Sequence, residues 1–515
     1  MKKHRILAAL SATFLSLAAC SPATESTGNA EEGPVRSGDA VAIDAPMPSV
    51  PAGLEVFYNQ KVDWQDCGGG MQCGQYMVPL DYENPKDRIV EIAATRRPAT
   101  KTRIGSLLVN PGGPGGSGQE MATNAEFYFT PKVLDYFDVI GFDPRGVGES
   151  NPVDCVSDAE LGTILERSYP NTPEADAQSQ QDLAELAQAC DARSGDMLPF
   201  IGTESAARDM DVIRHVEGDP KLYYVGFSYG TSLGGEYAEL FPKNVGRMVL
   251  DGATAPDATS FDQTAEQLKG FEQQLDAYLE SCLGTDGCPF SGSVEDARAQ
   301  IKAALDQALV EPYPTATPDR PLTQAAMLYG IITPLYSEDS WPSLTQAFDQ
   351  LLNAGDGSVF QLLFDAYTGR DGYTFNDNSV EANYAINCAD YGSTGTPEEW
   401  AAQRKQLEEM APLFGPVFGY NDALCAGWAF QTEDPLGPFV AEGSDPIVVV
   451  GTVGDPATPY EWAVKFADTL SNAVLITYEG NGHTAYGRST ECVSDPIDKY
   501  LINGTVPEAL TCPAE

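Results

Sequence analysis

The sequence predicts an α/β fold, with a mostly parallel central sheet flanked by helices and interrupted by a large helical insertion. Three observations carry this. Short apolar runs bounded by turn residues recur at 106–110, 136–143, 222–227, 247–250, 446–450 and 472–478, as strands buried on both faces do. Helical patterns fall between them, as in TESAARDMDVIRHV ahead of the third run, and such alternation marks a parallel sheet. Between 258 and 440 the spacing turns helical throughout. Leu268, Phe271, Leu275, Tyr278 and Leu279 form one stripe, Ala297, Ile301, Leu305 and Leu309 another, and no convincing strand pattern interrupts them.

These patterns divide the chain of 515 residues. Residues 1–20 read as an export signal: a basic MKKHR, the apolar stretch ILAALSATFLSL, then LAAC ending at Cys20. The stretch is short for a membrane span, and LAAC resembles a bacterial lipobox whose cysteine is lipidated. Residues 21–50 are rich in Ser, Pro, Ala, Glu, Thr and Gly without apolar periodicity, the composition of a disordered tether. Residues 51–257 and 441–515 are expected to form the two parts of the α/β core, with 258–440 as a cap over the active site. The expected location is the cell envelope, periplasm or cell surface, with lipid chains as the membrane anchor.

Ten cysteines follow Cys20, an even number in an exported chain, which implies disulfides. Paired as sequence neighbours they are Cys67–Cys73, Cys155–Cys190, Cys282–Cys288, Cys388–Cys425 and Cys492–Cys512. Metal binding is disfavoured, because there is no CxxC and the chain has only three histidines. Acidic residues outnumber basic ones by 75 to 30, for a net charge of −45. A nucleic-acid partner needs a basic footprint, so it is excluded; electrostatic docking on anionic lipid is disfavoured as well.

The chemistry is read from GFSYG at 226–230, which follows an apolar strand and opens a helix. G-x-S-x-G in that context is a nucleophile elbow: a turn so tight that its flanking positions must lack side chains, holding Ser228 exposed at a helix N-terminus. The serine needs a base. His4 lies in the export signal and His215 in the helix before the elbow strand, which leaves His483 in the Gly-rich loop EGNGHTAYG. The base needs an orienting carboxylate. Asp455, in VVVGTVGDPATP, ends the strand before the one leading to His483; Asp251, in VLDGATAP, is the rival one strand earlier, otherwise a turn-capping aspartate. NPGGPGGSG at 110–118 occupies the position of a glycine-rich oxyanion loop. The expected donors are the N–H groups of Gly113 and of Tyr229, the residue after the nucleophile. No cofactor is required. Activity should rise as His483 loses its proton.

Together PGGPGGSG, FDPRGVGES at 142–150, GFSYGTSLG, GTVGDPATP and NGH resemble the proline iminopeptidase and tripeptidyl aminopeptidase group of α/β-hydrolase-fold serine peptidases. CGQYMVPLDYENP at 73–85, INCADY at 386–391 and the tail from His483 to Cys512 resemble its secreted tripeptidyl aminopeptidase branch. The resemblance covers about residues 55–515. It implies release of short peptides, often tripeptides, from substrates with free N-termini, with Ser228, Asp455 and His483 as the triad. Pro111 stands where iminopeptidases carry the histidine of HGGPG, which speaks against close iminopeptidase specificity. Asp390, in the cap, is one candidate for binding the substrate's α-amino group. Two rivals remain open: an esterase with the same triad, since one fold hosts many chemistries, and a surface-binding lipoprotein with a relic site.

Overall fold

The computed structural model describes residues 40–514 except 417, 419, 420, 431, 433 and 434. The export signal with Cys20, and the tether up to residue 39, lie outside the described residues. Residues 40–50, expected in the tether, lie against the core. Val41 N–H donates to Ile502 O at 3.0 Å, Ile43 N–H donates to Tyr223 Oη at 2.7 Å, and Val50 packs on the core.

Among the described residues, ten strands build one sheet. They are β1 (Gln65–Gly68), β2 (Met71–Pro79), β3 (Ile89–Arg97), β4 (Gly105–Asn110), β5 (Phe137–Phe142), β6 (Leu222–Phe227) and β7 (Val245–Asp251), then, after a ribbon of β8 (Arg370–Asp371) and β9 (Thr374–Phe375) in the cap, β10 (Ile447–Gly454), β11 (Ala473–Asn481) and β12 (Leu510–Pro513). Their order across the sheet is β1-β2-β3-β5-β4-β6-β7-β10-β11-β12. The first three strands join antiparallel; from β5 onward every neighbour is parallel. The six runs expected as strands are β4, β5, β6, β7, β10 and β11. Every residue of β4, β6 and β7 is buried, the reason these strands read as unbroken apolar runs. β1 is wholly exposed and gave no such run. The ribbon in the cap is too short to leave a periodic signal.

Alternation along the strands divides the core in two. Leu108, Tyr224, Met248, Leu250, Ile447 and Val449 face a layer that includes the helices Thr203–Val216, Tyr229–Leu240 and Tyr460–Thr469. Leu107, Val109, Tyr223, Val225, Val249 and Val448 face the opposite layer, with the helices Pro131–Tyr136 and Glu491–Asn503. The cap carries its own core on the helices Ser260–Leu283, Val294–Val310, Gln324–Leu335 and Trp341–Ala354. Thr259 caps the first of these through Asp262 N–H, and a reciprocal Ser293–Asp296 box opens the second. Leu161 and Leu165, from the helix Asp158–Glu166, also enter this cap core. The cap thus recruits a segment from before β6, which spacing within 258–440 could not reveal. All five neighbouring cysteine pairs form disulfides.

A buried ion pair joins the loop after β5 to the helix Thr203–Val216 and to the end of β2. Arg145, in the loop after β5, is fully buried and pairs with Asp209 at 2.6 Å. It also donates to the carbonyls of Pro79, Leu80 and Phe200, and Tyr82 donates to Asp209. With its donors matched, the guanidinium repays its desolvation; without it, Asp209 would be a lone buried charge. Arg145→Met is therefore expected to lower the unfolding free energy in urea by about 3–5 kcal/mol. A loss under about 1 kcal/mol, the value of a surface pair, would contradict this reading.

Candidate active site

Ser228 sits between β6 and the helix Tyr229–Leu240 with φ 55° and ψ −126°. That is a left-handed conformation that costs a non-glycine residue energy and persists only where its surroundings enforce it. The neighbouring glycines show why. A Cβ on Gly226 would lie 2.2 Å from Gly230 O, and one on Gly230 would lie 2.8 Å from Asn110 O. Side chains at either position would prise the helix from β4 and β6. Ser228 N–H donates to Asp251 O at 2.9 Å, and Ser228 O accepts from the N–H and the hydroxyl of Thr231.

Asp455 and His483 come from the loops after β10 and β11. His483 Nδ1 lies 2.9 and 3.0 Å from the two carboxylate oxygens of Asp455. Asp455 also accepts from the N–H groups of Ala457, Thr458 and Thr484 and from the Thr458 hydroxyl. Such a carboxylate is an acceptor only, so Nδ1 carries the imidazole proton and Nε2 of the neutral ring is left basic. The ring lies beside the peptide that holds the elbow: Asp251 O accepts from Ser228 N–H, and a Cβ on Gly252 would lie 3.2 Å from His483 Cε1. Of the two aspartates weighed from sequence, Asp455 meets the imidazole. Asp251 accepts from the N–H groups of Ala485 and Tyr486 at 2.7–3.1 Å. Three consecutive N–H groups after His483 are thus clamped by two buried carboxylates. His215 lies on the helix Thr203–Val216, its ring edge-on to Tyr58.

The glycine-rich loop lies against the elbow. A Cβ on Gly112 would be 2.8 Å from Ser228 Cβ and 3.1 Å from Tyr229 N. Gly112 N–H donates to Asn110 Oδ1 at 2.9 Å. Tyr229 N–H, at the first helical position, has no acceptor within its own helix. Asp143, from the FDPRG segment, holds the far end of the loop by accepting from Ser117 Oγ at 2.6 Å and Gln119 Nε2 at 2.8 Å. Sequence reasoning quoted that segment without giving it a role.

The cap touches the site at several points that no motif announced. Tyr336 O accepts from His483 N–H at 2.9 Å, and the Tyr336 ring stands edge-on to the imidazole. The helix Ser379–Tyr391 rests on the glycine-rich loop, where Asn383 Nδ2 donates to Pro114 O at 3.0 Å. Asp390, considered for the substrate's amino group, is only 6% exposed. Both of its oxygens are engaged by Thr203: Oδ1 accepts from the N–H and Oδ2 from the hydroxyl. Burial pushes its carboxyl up to about 7. Among the described residues no group of His, Cys, Asp and Glu could hold a metal ion, and no helix is long and apolar enough to cross a membrane.

Burial also pushes the Asp251 carboxyl up to about 6, against its backbone N–H bonds and the nearby imidazole, which favour the charged form. An unfolded aspartate titrates at about 3.9. The folded state therefore holds this proton more tightly, and the stability it contributes is full below about pH 4 and lost as the pH rises through about 6. Asp251→Asn has no such proton. Measured by denaturant unfolding, the wild type should lose on the order of 2 kcal/mol relative to Asp251→Asn between those limits. A difference independent of pH would contradict this.

Comparison with known proteins agrees with this architecture. A family model described as alpha/beta hydrolase fold matches residues 105–297, and one described as TAP-like protein matches residues 411–512. The serine protease Hip1 of Mycobacterium tuberculosis H37Rv is 35% identical over 470 residues, covering 87% of this chain and 90% of its own. Carboxylesterase B of the same strain is 36% identical over 448 residues, covering 85% of each chain. The tripeptidyl aminopeptidase of Streptomyces lividans is 33% identical over 478 residues, covering 88% of this chain and 86% of its own. Similarity of this extent, running through both parts of the core and the cap between them, shows that the chain belongs to the tripeptidyl aminopeptidase-like serine hydrolases of the α/β-hydrolase fold.

Proposed function

We propose that this protein is a serine exopeptidase that releases short peptides, tripeptides foremost, from the free N-termini of peptide substrates. One observation carries the serine-hydrolase part of the reading: Asp455 bonded to His483 Nδ1 at 2.9 Å, with Ser228 held at φ 55° in the elbow. In the reaction, His483 Nε2 takes the proton of Ser228 Oγ as that oxygen attacks the peptide carbonyl carbon. The N–H groups of Tyr229 and Gly113 stabilise the resulting oxyanion. His483 returns the proton to the departing amine nitrogen as the C–N bond breaks, leaving an acyl ester on Ser228. Water, deprotonated by the same histidine, attacks the ester and releases the shortened peptide's former N-terminal portion. Asp455 holds the imidazole tautomer throughout.

The relatives named as a serine protease and a tripeptidyl aminopeptidase support a peptide substrate. The similarity to a carboxylesterase supports a second reading, hydrolysis of small esters by the same residues. Export through the signal at 1–20 and anchoring through lipid on Cys20 complete the proposal, and the five disulfides favour an oxidising compartment.

Incubation with one peptide in unblocked and N-acetylated forms, with products identified by mass, tests the assignment. Tripeptides released from the unblocked form alone, and not by Ser228→Ala, are expected. Hydrolysis of simple esters that depends on Ser228, without peptide cleavage, would move the protein to the esterase reading.

A further inference from the structure

The two expected oxyanion donors are held by one element of the cap. On one side, Asn383 of the helix Ser379–Tyr391 donates to Pro114 O, the carbonyl following Gly113. The backbone of the helix packs so closely that a Cβ on Gly115 would lie 2.5 Å from Ser379 O. On the other side, Asp390 of the same helix engages Thr203 through both oxygens, at 2.7 Å to N–H and 2.6 Å to the hydroxyl. The Thr203 hydroxyl in turn lies 2.5 Å from Tyr229 Oη. A hydroxyl has one proton to give. Above about pH 7, where Asp390 is ionised, Thr203 donates to the carboxylate and accepts from the Tyr229 phenol, so the relay there runs in one direction. All three side chains are buried, and in such a site an unmatched polar group is costly, which favours a single arrangement.

We propose that the cap sets the oxyanion-binding geometry through this relay, making Asp390 and Thr203 positioning residues that act through Tyr229. The phenol fixes one end of Tyr229 while its N–H points at the reacting oxygen, so slack at the hydroxyl passes into the donor. The helix is in turn fastened to the core. Asn378 Nδ2 donates to Gly146 O and Val153 O at 2.9 Å, and Glu381 accepts from the N–H groups of Cys155 and Val156. Within the cap, the Cys388–Cys425 disulfide ties the helix to a second segment. The cap is by this account part of the machinery that stabilises the transition state. The inference rests on the serine hydrolase reading but holds for peptide and ester substrates alike, since both pass through an oxyanion.

Tyr229→Phe, which keeps the backbone donor, and Thr203→Val each cut the relay. Both should lower kcat by about 10- to 100-fold, less than the loss of a whole oxyanion donor, with KM within about threefold. Affinity for a peptide aldehyde, which forms the tetrahedral oxyanion on Ser228, should fall in step with kcat/KM. Thr203→Ser restores the hydroxyl and should return kcat to within about threefold of the wild type. A packing defect alone would not spare KM, track the aldehyde and be rescued by serine. Unchanged kcat in both Tyr229→Phe and Thr203→Val, with wild-type activity abolished by Ser228→Ala, would overturn this inference alone. Activity that survives Ser228→Ala would overturn the functional reading and this inference with it.

Discussion

The structure around the site depends on one steric constraint: a serine forced into left-handed backbone between β6 and the helix that follows. The approach is so close that Gly226 and Gly230 cannot carry a Cβ without striking Gly230 O or Asn110 O. Everything chemical is then arranged around a fixed point. Asn110, at the end of β4, both receives that helix and turns the glycine-rich loop by accepting from Gly112 N–H. Asp251, at the end of β7, holds Ser228 N–H with its carbonyl and the backbone after His483 with its carboxylate. β4, β6, β7 and β10 are neighbours in the sheet, and their C-terminal ends deliver the loop, the serine, the clamp and Asp455. Sites of α/β sheets form at the carboxyl ends of strands for this reason.

The central strands and the three candidate catalytic residues were legible because each leaves a local trace. β6 and β7 are buried throughout and read as apolar runs; Ser228 is bracketed by glycines; His483 follows from elimination among three histidines. What was not legible depends on partners distant in sequence. Thr203 is one of many threonines until Asp390 and Tyr229 close on it, 187 and 26 residues away. Tyr336 bears on His483 mainly through its backbone carbonyl, a group every residue has. Asp390 enters the sequence reading as a cap carboxylate for the substrate's amino group, but it faces inward to Thr203, a direction that spacing cannot supply. The helix Asp158–Glu166 joins the cap core across a gap that includes β6 and β7, so its membership shows only in three dimensions.

The polar interior explains how so acidic a chain builds a dense core. Buried carboxylates are few relative to the 75 acidic residues and are matched individually: Asp209 by Arg145, Asp211 by Arg214, Tyr58 and Tyr237, Asp455 by four donors besides the imidazole. Matched this way, buried charge specifies position and does not merely cost desolvation. The cap then meets the core through further matched groups at Asn378, Glu381, Asn383 and Asp390, so cap and catalytic loops form one polar framework.

The central claim is that Asp455 and His483 activate Ser228. It is tested most directly by the rate of labelling with an active-site fluorophosphonate, with the modified residue located by mass. The account predicts one label, on Ser228, and a rate reduced at least about 10³-fold in folded His483→Ala. A folded His483→Ala labelled at the wild-type rate, or a wild type labelled at another residue, would contradict it.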